Sequence, residues 1–150
     1  MTANDTGNVE VSLDDVLITH ELARRPARVP DHRAESRALT LLSRELVTHP
    51  HGVLQRLAEL LLQLCRAGTA GVSILERRAD GDVFRWHAVA GTYAAMAGGT
   101  IPRGDSPCGV VIERNTTVLF DAPMRHFASL RCDGPPLVEC LLVPWTIDDQ

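Results

Sequence analysis

The chain has 150 residues with 15 cationic side chains, all of them arginine, 19 acidic ones and a net charge of −4. The lack of lysine rules out a P-loop, Schiff-base or kinase-type nucleotide lysine, and the mild acidity argues against a nucleic-acid groove, which would carry a basic stripe. No apolar run approaches the ~20 residues that cross a bilayer and no signal-peptide layout opens the chain, so a soluble, cytoplasmic protein is expected, without membrane contact.

Residues 1–11 are polar, carry Asn4, Asp5, Gly7 and Asn8, and read as a disordered tail. Ser12 with Asp15 three positions on resembles a capping box, and Leu13, Val16, Leu17 and Leu22 follow at helical spacing, which predicts a first helix running to Arg24-Arg25-Pro26. A second helix is predicted from near Asp31, with Ala34, Ala38, Leu41, Leu42 and Leu46 on one face, until Pro50 breaks it. A third carries Leu54, Leu57, Leu61 and Leu64 and is expected to end at Gly68 in a left-handed turn. His49 and His51 flank Pro50 without a third ligand nearby, so an inter-helix turn is expected there and not a metal site.

The hydrophobic period then changes. Val72 and Ile74 alternate along a strand that ends at Arg77-Arg78, and Asp80-Gly81 is a hairpin signal. On the return strand Phe84, Trp86 and Ala88 are expected to point one way, and Arg85 and His87 the other. A short helical piece near Thr92–Ala97 leads to a loop punctuated by Gly98-Gly99 and Pro102. A short helix starts at Ser106-Pro107, Val118–Phe120 is a brief strand, Met124–Leu130 a helical turn, and Glu139–Ile147 the last strand. A strand ending so near Asp148-Asp149-Gln150 would leave an unpaired edge, so either the chain is a fragment or a second copy completes the sheet. These elements make a small α+β domain.

Four cysteines without a Cys-x-x-Cys or Cys-x-x-His pair build neither a disulfide framework nor a local zinc site. Ser106 is a good N-cap and Pro107 suits the first helical position, which sets Cys108 in the first turn. Two readings stand for Cys108: a thiolate or anion site favoured by free amides and the helix dipole, with Arg103 just outside, or a small apolar residue facing the core. Cys132, in the loop Arg131–Gly134, is the more exposed thiol, while Cys140 and Cys65 read as inert. Trp86 belongs with Phe84 in the core; His87 and His126 either line a cavity or face solvent. No Ser/His/Asp order here amounts to a triad.

Taken together, several segments carry a family likeness. They are Leu13–Thr19 through Glu21-Leu22-Ala23-Arg24-Arg25-Pro26, Phe84-Arg85-Trp86-His87-Ala88, Pro102-Arg103 with Ser106-Pro107-Cys108-Gly109, and Pro135-Pro136 leading into Glu139 and Leu141–Trp145. In these, residues 13–150 resemble the GAF domains at the N-terminus of bacterial sensor histidine kinases. What the resemblance implies is a central antiparallel sheet flanked by helices over residues 12–150, including N-terminal helices over 12–48. A further strand and a closing helix would follow the position of Gln150, so the domain is expected to be truncated at its C-terminus. The implied function is sensing of a small molecule or redox cue in two-component signal transduction. The domain would have no catalysis of its own, and its histidine-kinase transmitter would lie outside this chain.

A ligand pocket is then expected between the sheet and Arg103–Arg114. Ser106, Cys108 and Gly109 would offer amides, Arg103 charge, and Trp86, His87 and His126 walls. The ligand is not named by these residues, nor is any cofactor. Cys108 is followed by Gly109 where bilin-binding relatives often carry histidine, and neither bilin nor haem is expected. The N-terminal helices, Ser12–Arg25 and Asp31–Thr48, are candidates for a homodimer contact. A second branch of the fold, the free methionine-(R)-sulfoxide reductases, supplies the alternative. There Cys132 would attack the sulfoxide sulfur, Cys108 would resolve the oxidised thiol, and Glu139 would hold substrate.

Overall fold

Helix and strand separate along the chain by hydrophobic period in residues 11–131 and 134–147, the part that the computed structural model describes. The tail predicted for residues 1–11 lies outside these apart from Val11. The chain divides into two units, Pro26–Arg103 and a second that joins the segment ending at Arg25 to the stretch from Gly104 onward.

In the unit Pro26–Arg103, α1 (His32–Thr48) starts where Asp31 caps it, the carboxylate accepting from the Ala34 N–H at 2.9 Å. A single 3₁₀ turn, Pro50–Gly52, leads into α2 (Val53–Cys65). This helix ends at Arg66 in the left-handed region (φ 53°), two residues before the predicted Gly68. Gly68 has another task, because its carbonyl accepts from the Thr92 N–H at 2.9 Å and so opens the sheet. Strands β1 (Thr69–Glu76) and β2 (Val83–Gly91) form the predicted hairpin, with Gly81 at φ 123° in its turn. A third strand, β3 (Thr100–Pro102), pairs antiparallel with β2 in the stretch predicted as loop.

The expected side-chain alternation of β2 fails at His87. Ala88 pairs with Val72 and Trp86 with Ser73, so His87 is the extra residue of a β-bulge. Val72 and Ser73 point to opposite faces, and therefore Ala88 and Trp86 do too. Ala88 and Ala90 meet Ala58 of α2, with Leu54, Leu62 and Val72 packed around them. Small side chains on both surfaces let the helix lie close to the sheet. Phe84 and Trp86 occupy the other face, in register with Leu75 and Ser73.

In the second unit, the helix predicted over Ser12–Arg25 is not formed. The Ser12–Asp15 box closes as expected: the Ser12 N–H and Oγ–H donate to Asp15 at 2.9 and 2.8 Å. The backbone beyond it is then claimed by β4 (Val118–Asp121), with the Ile18 N–H on the Leu119 carbonyl and the Asp121 N–H on the Val16 carbonyl, both at 2.9 Å. Leu17 thus bridges Phe120, and only a 3₁₀ segment, Thr19–Ala23, follows. Ile18, β-branched and next to the bridge residue Leu17, favours this extended path over helix. On its other side β4 pairs antiparallel with β5 (Glu139–Leu142). β5 is shorter than the predicted Glu139–Ile147, Pro144 having no N–H to give a ladder. Helix α3 (Pro107–Arg114) starts at Ser106 as predicted. Among the described residues every strand pairing is antiparallel and both sheets, one of three strands and one of two, are open. The expected antiparallel sheet flanked by helices is present in this divided form.

Candidate functional site

The residues singled out from the sequence fall into both units: Trp86, His87 and Arg103 in one, Ser106, Cys108, Gly109 and His126 in the other.

Trp86 is the most distinctive of them. Its backbone is fixed on one side by Gly98 and Gly99: the Trp86 N–H donates to the Gly99 carbonyl at 2.9 Å, and the Gly98 N–H donates to the Trp86 carbonyl at 2.7 Å. Its ring lies against Gly71, where a Cβ would stand 3.2 Å from a ring carbon and 3.0 Å from the Ala88 carbonyl. The glycine is what lets the indole lie over the strand. The indole Nε1–H is buried with no hydrogen-bond partner among the described residues. Buried indole N–H groups usually find an acceptor, and leaving one unsatisfied costs about 1–3 kcal/mol.

His87, displaced by the bulge, is exposed, with Nε2 4.0 Å from Glu76. Glu76 accepts from Arg85 Nε at 2.5 Å and from Arg78 Nη2 at 2.6 Å, and Arg85 Nη1 also reaches the Gly98 carbonyl at 2.7 Å. These hydrogen bonds, Arg85's first and Arg78's second, pull the Glu76 carboxyl down to about 2. A depressed carboxylate stabilises the folded chain above the ordinary range near 4.5, and that contribution is lost as pH falls toward about 2. Glu76→Gln is therefore expected to lower the melting temperature at neutral pH by a small amount, as suits a solvent-screened cluster, and to flatten the acid limb across that window by the same amount. An acid limb identical to the wild type's would rule this out. Arg103 Nη1 stands 3.4 Å from Asp82, and its N–H donates to the Asp82 carbonyl at 3.0 Å.

At the start of α3, Ser106 is buried and its Oγ accepts from the Cys108 N–H at 3.1 Å. The Gly109 N–H donates to the Ser106 carbonyl, also at 3.1 Å, so two of the three amides that the sequence offers to a ligand, those of Cys108 and Gly109, are engaged here. Asp105 ties the helix start to the turn ahead, accepting from the N–H groups of Ala128 and Ser129 at 3.2 and 2.8 Å. Cys108 is 6% exposed, the environment of a small apolar residue more than of an accessible nucleophile. Burial, with a smaller contribution from Cys108, pushes the Cys140 thiol up to about 12, so that it stays protonated. Cys65, at the end of α2, is exposed.

His126 does not stand free. Its Nδ1 lies 2.7 Å from the Val11 carbonyl, which can only accept, so the proton sits on Nδ1. Its ring is edge-on to Phe127 at 4.7 Å. Both carboxylate oxygens of Glu139 are held by the Arg25 guanidinium, at 2.9 and 2.5 Å, which lowers the Glu139 pKa. Cys132 lies outside the described residues. Among the described residues no three His, Cys, Asp or Glu side chains gather where they could hold one metal ion, and no helix is long and apolar enough to cross a membrane. Sequence reasoning missed the unsatisfied indole; the glycines at 71, 98 and 99 were the only trace of it.

Open antiparallel sheets, an alanine-lined helix–sheet contact and the short capped α3 define an α+β architecture of the GAF kind. The chain is similar in structure to the GAF domain of a phosphoenolpyruvate-protein phosphotransferase from Coxiella burnetii, with a TM-score of 0.62 and 16% sequence identity, over 80% of this chain and 74% of that one. No protein-family model matches the sequence, and no curated protein matches it either. The fold is GAF-like.

Proposed function

We propose that this chain is a sensory GAF-type domain that binds a small molecule against the Trp86 face of its three-stranded sheet and carries out no catalysis of its own. The observation that carries this reading is the Trp86 Nε1–H, a buried donor with no acceptor among the described residues. A ligand offering a carbonyl, carboxylate or phosphate oxygen there would satisfy it and recover most of the cost of leaving it bare. The ring lies on Gly71 and the Trp86 backbone is held by that of Gly98 and Gly99, so the donor is pre-positioned. The ligand acts as a signal to the extent that it binds one conformation better than another.

The downstream partner in this reading is a histidine-kinase transmitter of a two-component system, carried by another segment or another protein. The segments resembling sensor-kinase GAF domains support it. The similar Coxiella domain belongs to a phosphotransferase, which supports a regulatory task beside phosphoryl-transfer chemistry in general.

The test is a melting-temperature screen against small carboxylates, phosphates and carbonyl-bearing metabolites, with Trp86 emission followed in a Trp145→Phe background. A ligand that raises the melting temperature is expected to change Trp86 emission as well. Trp86→Phe, which keeps an aromatic ring but removes the donor, is expected to weaken that ligand about tenfold. Full binding by the phenylalanine variant, or turnover of free methionine-(R)-sulfoxide by the chain, would overturn the proposal.

A further inference from the structure

Among the described residues of its own unit, charge is missing from the stretch of sheet that presents the Trp86 donor. Trp86 and Phe84 stand opposite Ser73 and Leu75, and on its other side Phe84 is in register with Ile101, which is 4% exposed. The charged neighbours along the strands belong to the opposite face, because successive side chains alternate. Arg85 is in register with Ile74, and its Nε and Nη2 donate to Glu76 at 2.5 and 3.3 Å. Arg78 donates to the same carboxylate, and the bulge residue His87 lies beside it. Arg103 Nη1 stands on Asp82, ahead of β2. Arg77 shares the parity of Ser73, but it is exposed and lies roughly 13 Å further along the chain of β1.

The segment beside β2 adds no charge either. Gly98 and Gly99 hold the Trp86 backbone, and residues 91–102 include no Asp, Glu, Arg, Lys or His. Helix α2, with its Arg56–Glu59 pair, packs on the other face against Ala88 and Ala90. A ligand at Trp86 therefore meets a neutral N–H donor on an apolar surface and no counter-ion from this sheet. We infer that the ligand is an uncharged molecule, an apolar body bearing an amide or ketone oxygen that accepts from Trp86 Nε1. This rests on the reading of the Trp86 face as a ligand site and selects among the acceptors that such a site allows. A carboxylate or phosphate would give up its hydration for a neutral hydrogen bond without a cation, whereas a neutral carbonyl gives up far less. With no ion pair formed, added salt has nothing to screen.

Matched pairs of nearly equal shape read the charge alone: benzamide with benzoate, phenylacetamide with phenylacetate, propionamide with propionate. Each pair is titrated at neutral pH, where the acids are ionised, into the 150-residue chain carrying Trp145→Phe, with Trp86 emission and melting temperature as readouts. The same comparison is made for every compound that the melting-temperature screen returns, against its charged or uncharged counterpart. The amide is expected to bind at least about tenfold more tightly than its acid, with an affinity that molar salt leaves unchanged. Trp86→Phe is expected to weaken the amide about tenfold and so to close most of the gap. An acid that binds as tightly as its amide, or binding that salt abolishes, would overturn this inference and leave the ligand site standing. Silence from every pair and from the screen, or amide binding that Trp86→Phe leaves intact, would overturn the site and the inference together.

Discussion

Gly91→Ala is expected to destabilise the chain by about 2–6 kcal/mol, enough to unfold much of a domain whose total stability is ordinarily about 5–15 kcal/mol. Two costs combine there. Gly91 ends β2 at φ 89°, a region side-chain-bearing residues rarely adopt. An added Cβ would also collide with the Gly68 carbonyl oxygen and approach Leu62 Cδ1 to 2.9 Å. Neither neighbour yields easily. The Gly68 carbonyl is fixed by the Thr92 N–H at 2.9 Å and the Thr92 hydroxyl at 3.2 Å, and Leu62 is packed against the alanine core. Gly98→Ala is the matched control, with φ 83° and nothing within 4 Å of the added atom, so it carries the conformational cost alone. Urea titrations should place the Gly91→Ala midpoint well below that of Gly98→Ala. Equal midpoints would mean that the collision relaxes and only the backbone conformation matters.

What the sequence told in advance, and what it could not, follows from the range of the forces involved. α1, α2 and α3 were legible because their signals are local: Asp31 and Ser106 cap them, Pro107 opens α3, and leucine recurs at helical spacing. The hairpin was legible for the same reason, through Asp80-Gly81. The segment from Ser12 shows the limit. Its capping box forms, yet the backbone after it is taken by Leu119 and Asp121, a hundred residues away, and no local pattern reports that competition. The bulge at His87 is of the same kind, since register belongs to two strands together and a one-residue slip reverses every later side chain. As for the site, Trp86 could be named from its type and position, and it does share a face with Phe84, but setting both on the face of Ala88 followed from an alternation the bulge breaks. That its Nε1–H lacks an acceptor is a fact about its surroundings, which a sequence does not contain.

Phe120→Ala is expected to cost the second unit about 3–5 kcal/mol, the range for deleting a buried phenyl ring when the cavity relaxes only partly. Phe120 has no exposed surface and stands at the middle of the local order. Its residue pairs with Cys140 of β5 on one side and bridges Leu17 on the other, and its ring meets Phe127 edge-on at 5.8 Å and 79°. The ring contact adds about 0.5–1.5 kcal/mol beyond burial, so a double-mutant cycle between Phe120→Leu and Phe127→Leu should return a coupling of that size. The loss should also be local in character. The Ile18 and Asp121 amides, which close the bridge between the two segments, should exchange with deuterium faster in Phe120→Ala well before the α1 amides do. Uniform acceleration across both units would mean that the chain unfolds only as a whole. A cost under about 1 kcal/mol, below the usual range for this deletion, would mean that Phe120 is not the centre its burial implies.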